Sequence, residues 1–176
     1  MESITSLVIE TSLQPFFYDQ LQVINRKTIY PLPNETIYYL SLVMDKLGDS
    51  SKYFEIVDGK VREKVLGIKL LEASHLPKEK KKTALRDVGE TSLILCGYFS
   101  DSMNRKQISP KYYQDLGVIA YDQLNAFVPN AYDVPSFFKR LAKSFNHVTN
   151  LLTLVSKDLQ SDKDAFLLVV NNRNIT

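Results

Sequence analysis

Apolar residues recur at helical spacings along most of the chain. One set at steps of three and four residues consists of Ile37, Leu40, Met44 and Leu47. The longest such stripe consists of Phe138, Leu141, Phe145, Val148, Leu152, Val155 and Leu159. Steps of three and four residues place side chains on one face of an α-helix. We expect one regular helix at the longest stripe, starting at Asp133 and Pro135. A helix that is apolar along one side needs partner helices to cover that side. The pattern therefore predicts a helical bundle.

Prolines and helix-capping residues divide the chain into successive helices. A first helix is predicted from near Ser12 or Pro15, and two prolines flanking Leu32 end it, because proline cannot continue a helix. Asn34 suits the N-cap of the next helix, and Gly48 suits its C-terminal end.

A long helix is predicted over about residues 78–103. Its stretch 93–99 is apolar on every side, and a helix without a polar face belongs in the middle of a bundle. Gly89 and Gly97 lower the helix propensity of this segment, a cost that close approach of neighbouring helices would offset. We therefore expect this helix to be the centre of the fold.

The segment before the long helix allows two interpretations. Asp58 and Gly59 lie between apolar-rich stretches, so residues 53–60 form either a hairpin or a loop. We favour a loop followed by a helix from about Val61, since the residues that follow are good helix formers. Its predicted single face carries Val65, Ile68 and Leu71.

Together these elements predict an all-α fold, a compact bundle of six to seven helices around the central helix. The chain has 176 residues, of which 44% are hydrophobic, which is enough for one core and too little for two. We expect a single domain over 1–176, with the bundle core over 12–160 and a C-terminal extension over 161–176. Within that extension, residues 165–170 suit a short helix capped by Ser161 or a strand equally well.

The charge balance narrows the possible partners and locations. The formal net charge is +2, from 22 basic and 20 acidic residues, whereas nucleic-acid-binding proteins usually carry a large basic excess. A single cysteine fits a reducing compartment. The longest apolar run, residues 93–99, is far shorter than the roughly 20 residues of a membrane span. We expect a cytoplasmic protein without a membrane span.

Motifs for catalysis or metal binding are scarce. Glu72 and His75 have the Glu-x-x-His spacing of a bundle metal site, but the second copy of that motif is missing, so no metal is predicted. Cys96 lies in the most apolar part of the central helix, which favours a packing role over a nucleophilic one. No Gly-x-Ser-x-Gly, Gly-x-Gly-x-x-Gly or P-loop pattern occurs in the sequence. We predict no cofactor and no catalytic residues, and we lean toward a protein that is not an enzyme.

Polar residues flank the apolar part of the central helix. Arg86 and Glu90 stand four residues apart and can pair on one face, and Asp101 marks the other end of the apolar run. Partly buried polar groups must find partners. Two interpretations stay open: these residues form a network that ties helices together, or they line a small-molecule pocket. Arg86, Glu90 and Asp101 are therefore the candidate pocket residues.

Two kinds of surface residue are candidates for contacts with partners. Residues 78–82, Lys-Glu-Lys-Lys-Lys, are the densest basic cluster, for which a solvated surface is favoured over an anionic partner. The pairs Tyr38-Tyr39 and Tyr112-Tyr113 place one ring inward and one near the rim of each helix. Rim tyrosines suit a protein interface and the edge of a core equally well.

Three stretches carry a resemblance to a known family. They are residues 85–103, beginning Leu-Arg-Asp-Val-Gly-Glu-Thr-Ser-Leu; the stretch Tyr-Tyr-Gln-Asp-Leu-Gly at 112–117, followed by Ala120-Tyr121; and Phe-Lys-Arg-Leu-Ala-Lys-Ser-Phe at 138–145. In this pattern the chain resembles an uncharacterised bacterial family of all-helical proteins over residues 12–160. The resemblance implies a bacterial, helical, cytoplasmic protein and brings no activity, cofactor or catalytic residue.

The leading functional hypothesis is a non-enzymatic helical adaptor or regulatory protein that binds another protein or a second copy of itself. It follows from the lack of catalytic motifs and from the aromatic-rich helix faces, and the apolar run 166–170 is one candidate contact element. The first alternative is a small-molecule sensor or enzyme with its pocket beside the central helix. The second is a weak nucleic-acid binder that uses residues 78–82. Helical bundles host all three classes.

Overall fold

The fold is described by a computed structural model of the chain. The residues described are 12–48, 54–57, 60–63, 65–104 and 109–161. The segment 165–170, for which helix and strand were both predicted, lies outside them.

The described residues are mostly helical, which confirms the predicted fold class. The helices are α1 (Gln14–Asn25), α2 (Asn34–Asp45), α3 (Leu66–Ala73), α4 (Lys78–Cys96), α5 (Ser100–Asn104), α6 (Pro110–Phe127), α7 (Phe137–Lys143) and α8 (Phe145–Ser161). The strands are β1 (Phe54–Val57), β2 (Lys60–Glu63), β3 (Asn130–Ala131) and β4 (Val134–Pro135). The strands form two small antiparallel hairpins, β1–β2 and β3–β4.

Helix α4 is the centre of the fold, as predicted. It packs along α6 and also contacts α2, α3 and α8. Its residues 88–95 are all buried, including three with polar side chains, Glu90, Thr91 and Ser92. Buried polar groups ordinarily have partners, and Glu90 has them, whereas the Ser92 hydroxyl has no hydrogen-bond partner among the described residues.

Gly89 allows α6 to approach α4 closely. A Cβ atom at this position would stand 2.7 Å from the ring of Tyr121. The ring therefore lies directly on the α4 backbone, which confirms the predicted close approach of a neighbouring helix. Tyr121 is fully buried in this position.

The central helix is shorter than predicted, because the single helix expected over 78–103 is two helices. Helix α4 ends at Cys96, Gly97 is its C-cap, and α5 begins at Ser100. The Phe99 N–H donates to the Ile94 carbonyl at 3.0 Å, a six-residue closure typical of helix ends. Gly97 is also the crossing point with α8, since a Cβ atom there would stand 2.6 Å from the Cβ of Leu152.

The prediction of a loop and a helix from Val61 is wrong, because this stretch forms a hairpin. Strands β1 and β2 pair antiparallel, with Phe54 opposite Glu63 and Val57 opposite Lys60. The β-branched and aromatic residues of these strands favour extended backbone, which outweighs the helix propensity of the charged residues among them. Helix α3 begins only at Leu66.

The long helix expected after Asp133 is also interrupted. Residues 130–135 form the β3–β4 hairpin, and a break at Ser144 separates α7 from α8. The backbone of Tyr132, Asp133 and Ser136 has φ angles of 53°, 58° and 54°, so the chain turns here instead of continuing as a helix. The apolar stripe from Phe138 to Leu159 is nevertheless buried on both sides of the break.

The predicted N-cap at Asn34 is wrong by one residue. Pro33 occupies the cap position of α2, and Asn34 is the first helical residue. The Asn34 side chain accepts a hydrogen bond from Gln22 of α1 at 3.1 Å, so it links two helices instead of capping one.

Replacing Gly89 with alanine should lower the free energy of unfolding by about 2 kcal/mol, because the new methyl group overlaps a buried ring that cannot move away. Gly67→Ala is the matched control, since its Cβ would meet mainly the terminal hydroxyl of Tyr112, which can swing aside. That variant should be neutral or more stable by up to about 1 kcal/mol, through helix propensity. Chemical denaturation of both variants measures the difference, and equal effects would contradict the close packing at Gly89.

Candidate functional site

The carboxylate of Glu90 is the main polar group inside the bundle. The residue lies on the central helix and is only 8% exposed. Its Oε1 accepts a hydrogen bond from the Tyr39 hydroxyl at 3.2 Å, and its Oε2 accepts one from Lys46 Nζ at 2.5 Å. Because Tyr39 lies on α2 and Lys46 directly follows α2, the carboxylate ties α2 to α4.

The Tyr39 hydroxyl also contacts the Tyr121 hydroxyl at 3.0 Å. Since Tyr39 donates its proton to Glu90, Tyr121 donates to Tyr39, and the chain of hydrogen bonds joins α6, α2 and α4. Both rings are buried, and this burial raises the pKa of each hydroxyl well above the ordinary value of 10.0. We call Glu90, Tyr39, Tyr121 and Lys46 the Glu90 network.

Arg86 lies one helical turn before Glu90 and contacts an aromatic cluster. Its guanidinium carbon stands 5.5 Å from the centre of the Phe138 ring, a cation–π distance. The ring of Phe138 is stacked on that of Tyr121 at 5.9 Å and meets Tyr39 edge-on at the same distance. Arg86 therefore joins α7 to the side of the Glu90 network.

The neighbouring Asp87 pairs with Lys69, which brings α3 onto α4. Lys46, which follows α2, and Lys69 of α3 both line an open cleft of about 580 Å³ on α4. The cleft is lined by Lys46, Lys69, Glu79, Lys80, Thr83, Ala84, Asp87 and Glu90. Its lining therefore comes mainly from α4, which supplies three carboxylates and the ammonium group of Lys80, while Lys46 after α2 and Lys69 of α3 supply two further ammonium groups.

The three predicted pocket residues are not all brought together. Arg86 and Glu90 lie four residues apart on α4, and of the two only Glu90 lines the cleft. Asp101 lies on the short helix α5, is exposed, and does not line the cleft. Of the three, only Glu90 lines this cleft, and Asp101 lies beyond the end of α4 at Cys96, so a single pocket built from all three stays a prediction.

Sequence reasoning missed the residues that complete the site, Lys46, Lys69, Tyr39 and Tyr121. The partners of Glu90 lie 44 and 51 residues away along the chain, and the two tyrosines lie 82 residues apart. Gly89 gave a partial indication, because it predicted that a helix approaches α4 closely but not that this helix is α6.

The basic cluster 78–82 is partly engaged within the molecule. Lys82 pairs with Glu79 at 2.9 Å, and the Lys81 ammonium lies 5.2 Å from the centre of the Phe127 ring. These contacts leave less unpaired positive charge for an anionic partner than the sequence alone indicates. The cluster thus favours the solvated-surface interpretation.

Cys96 is a half-buried residue at the end of α4. Its thiol points to the Pro110 carbonyl at 3.6 Å, and burial raises its pKa to about 12. Because the thiolate is the reactive form, this cysteine is a weak nucleophile at neutral pH. Among the residues that the structure describes, no group of three or more His, Cys, Asp and Glu side chains is placed to hold a metal ion.

A different surface is exposed on α3. The predicted set Val65, Ile68 and Leu71 does share one face, but that face points to solvent, with exposures of 53%, 53% and 73%. We call these three residues the α3 outer face. Nearby on α6, the Tyr112 ring is 46% exposed, and its hydroxyl lies against Gly67 of α3. The predicted rim position of Tyr112 is therefore correct, and it extends this apolar surface.

Comparison with protein-family models, with curated proteins and with solved structures finds no match to this chain. The resemblance to a bacterial helical family and the cytoplasmic setting therefore stay predictions. In the part of the chain that the structure describes, no helix is both long and apolar enough to cross a membrane.

Replacing Glu90 with alanine should lower the free energy of unfolding by about 2 kcal/mol, because Tyr39 loses an acceptor and a cavity opens on α4. The loss stays moderate because the Lys46 side chain is 43% exposed and its ammonium can return to water. Glu79→Ala, on the same helix but exposed, should leave the stability nearly unchanged. Denaturant unfolding of both variants distinguishes the positions, and equal stabilities would argue against a structural role of Glu90.

The fold should become unstable in alkali. The unfolded chain ionises its thiol near pH 9.0 and its tyrosines near pH 10.0, whereas the raised pKa values of Cys96, Tyr39 and Tyr121 keep these groups protonated in the folded chain. The free energy of unfolding should therefore stay constant up to about pH 9. Above that pH it should fall by up to about 1.4 kcal/mol per pH unit for each of these thiol and hydroxyl groups. Tyr39→Phe should make this fall shallower. Unfolding curves that show the same stability at neutral pH and at about pH 11 would contradict the burial of these hydroxyls.

Proposed function

We propose that this protein is a non-enzymatic helical adaptor that binds another protein through the α3 outer face. The observation that carries the proposal is that α3 is apolar on two opposite sides. Its inner side is buried, with Leu66 and Ala73 at 1% and 0% exposure, while its outer side is exposed. Apolar residues on two opposite sides of a helix are ordinarily covered on both sides.

The exposed side chains are large enough to contribute to binding. Fully burying one isoleucine or leucine side chain stabilises a complex by about 1.5–3 kcal/mol before the costs of association. Two such residues, Ile68 and Leu71, lie one helical turn apart, and Leu76 beyond the end of α3 is 37% exposed. A contiguous apolar surface of this kind is typical of protein interaction sites.

Polar groups surround this apolar surface. Tyr112 borders it with an aromatic ring and a hydroxyl, a combination that is enriched in interfaces. Glu72 and His75 are exposed at the end of α3, and Lys69 is held by Asp87 at its inner edge. An apolar centre with a polar rim fits a partner that supplies its own apolar helix or strand.

The polar residues of α4 support a structural role over a catalytic one. Glu90 binds Tyr39 and Lys46, Asp87 binds Lys69, and Arg86 lies on an aromatic ring. These groups hold the helices around α4, and α3 is among them, so they would fix the orientation of the outer face.

The double variant Ile68→Asp/Leu71→Asp should lose the partner. The full-length tagged chain is used to capture proteins from a native-source lysate, and mass spectrometry compares this variant with the unmodified chain. Both residues are more than half exposed, so their replacement should leave the fold intact, which circular dichroism verifies. We expect one stoichiometric partner whose recovery falls at least about tenfold in the variant, as loss of 1.4 kcal/mol or more requires.

Val23→Asp is the matched control, since Val23 is 49% exposed and lies on α1, which packs on α2 and α8. This control should retain the partner fully. A partner lost equally in both variants, or kept in both, would contradict binding through the α3 outer face. If light scattering shows a dimer that only the α3 variant dissociates, the partner is a second copy of the chain.

A second candidate function is recognition of a small, charged molecule in the cleft on α4. The specific observation is a cleft of about 580 Å³ whose lining carries both ammonium and carboxylate groups. Native mass spectrometry of the freshly purified chain tests it. A bound small molecule that is lost on Asp87→Asn would support this candidate over the adaptor, and an unliganded mass would count against it.

A further inference from the structure

Besides the cleft on α4, a second groove lies where the C-terminal end of α1 meets the C-terminal end of α8. It encloses about 570 Å³. One wall comes from α1 and the turn after it, with Ile24, Lys27, Thr28 and Ile29. The other comes from α8, with Leu154, Lys157, Asp158 and Ser161.

The groove exposes apolar side chains that the core does not use. Ile29 is 87% exposed and Leu154 is 47% exposed, and Tyr30 beside the groove is 76% exposed. The stems of Lys27 and Lys157 add further apolar surface while their ammonium groups stay in water. The groove therefore offers apolar side chains together with two ammonium groups and the carboxylate of Asp158.

We propose that the groove binds the apolar run 166–170 of the same chain, Phe-Leu-Leu-Val-Val. The position of Ser161 supports this occupant, because the last residue of α8 itself lines the groove. Only four residues, 162–165, separate it from the apolar run. Five extended residue steps reach about 18 Å, which is ample for a groove that begins at the point of departure.

The charges of the connecting residues match the groove. The sequence Asp-Lys-Asp-Ala at 162–165 places two carboxylates and one ammonium group before the apolar run. Lys27 and Lys157 stand on the two walls of the groove and can pair with the carboxylates, and Asp158 of the same lining can pair with Lys163. Such exposed pairs are individually weak, so they would select the occupant while the apolar side chains supply the binding free energy.

The N-terminal segment fits the groove less well. It enters the described structure at Ser12, where the Ser12 hydroxyl is bound to Asp45 at 3.1 Å. The groove lies at the opposite end of α1, a helix of 12 residues and thus about 18 Å long. The apolar residues Leu7 and Ile9 would have to run back along the whole helix, whereas only four residues separate the C-terminal run from Ser161, which lines the groove.

Attachment to the same chain makes a small contact area sufficient. A segment tethered through four residues is present at an effective concentration of about millimolar or more, so even a weak contact is occupied. The bound segment would cover Ile29 and Leu154 and keep this end of the molecule from associating with other chains. This self-binding is separate from the α3 outer face and does not depend on it.

Hydrogen–deuterium exchange of the full-length chain, read by mass spectrometry, tests the proposal in both directions. Leu167→Asp/Leu168→Asp should make the backbone amides of residues 154–161 and 26–29 exchange about tenfold faster. Ile29→Asp should in turn speed exchange in residues 166–170. Ile29 is almost fully exposed, so this variant should keep the fold, and unchanged exchange in α4 verifies that.

Leu7→Asp is the matched control and should change exchange in neither the groove nor the C-terminal run. Lack of any reciprocal effect between Ile29 and residues 166–170 would overturn the proposal. A groove that responds to Leu7→Asp would identify the N-terminal segment as the occupant. Protection that disappears on tenfold dilution would show that the occupant comes from a second copy, and both of these results would likewise overturn it.

Discussion

The contact between the Tyr121 ring and the backbone at Gly89 is the constraint on which the centre of the fold depends. It sets how closely α6 approaches α4, and it places the Tyr121 hydroxyl where it meets Tyr39 at 3.0 Å. Tyr39 then reaches Glu90, and Glu90 binds Lys46. A single missing Cβ atom thereby aligns a chain of hydrogen bonds across α6, α2 and α4, and this chain satisfies a carboxylate in the middle of the bundle.

The paired charged groups of α4 and the exposed apolar side chains elsewhere have different roles in this molecule. The charged groups of α4 bind partners from surrounding helices, so they account for the helix arrangement. The apolar residues of the α3 outer face, and Ile29 and Leu154 in the groove between α1 and α8, stay exposed among the described residues. The exposed apolar surfaces are therefore the candidate binding sites. Exposed apolar faces on a helical core are typical of binding proteins and support the adaptor proposal.

The helical class could be predicted because the periodicity of apolar residues can be recognised in the sequence alone. It misplaced the breaks at Gly97, at Ser144 and before Leu66, since each depends on a crossing helix or on strand pairing. At the site, Arg86 and Glu90 were identified because they are close in sequence, whereas Lys46 is 44 residues from Glu90. For α3, periodicity indicated one shared face but could not indicate whether that face is buried or exposed.

A double-mutant cycle between Tyr39 and Glu90 tests most directly whether the Glu90 network holds α2 against α4. The free energies of unfolding of Tyr39→Phe, Glu90→Gln and the double variant are compared with that of the unmodified chain. A coupling free energy of about 1–2 kcal/mol is predicted, as for neighbours that share a buried hydrogen bond to a charged group. A coupling near zero would contradict the structural role of Glu90 and would make its carboxylate available for chemistry in the cleft.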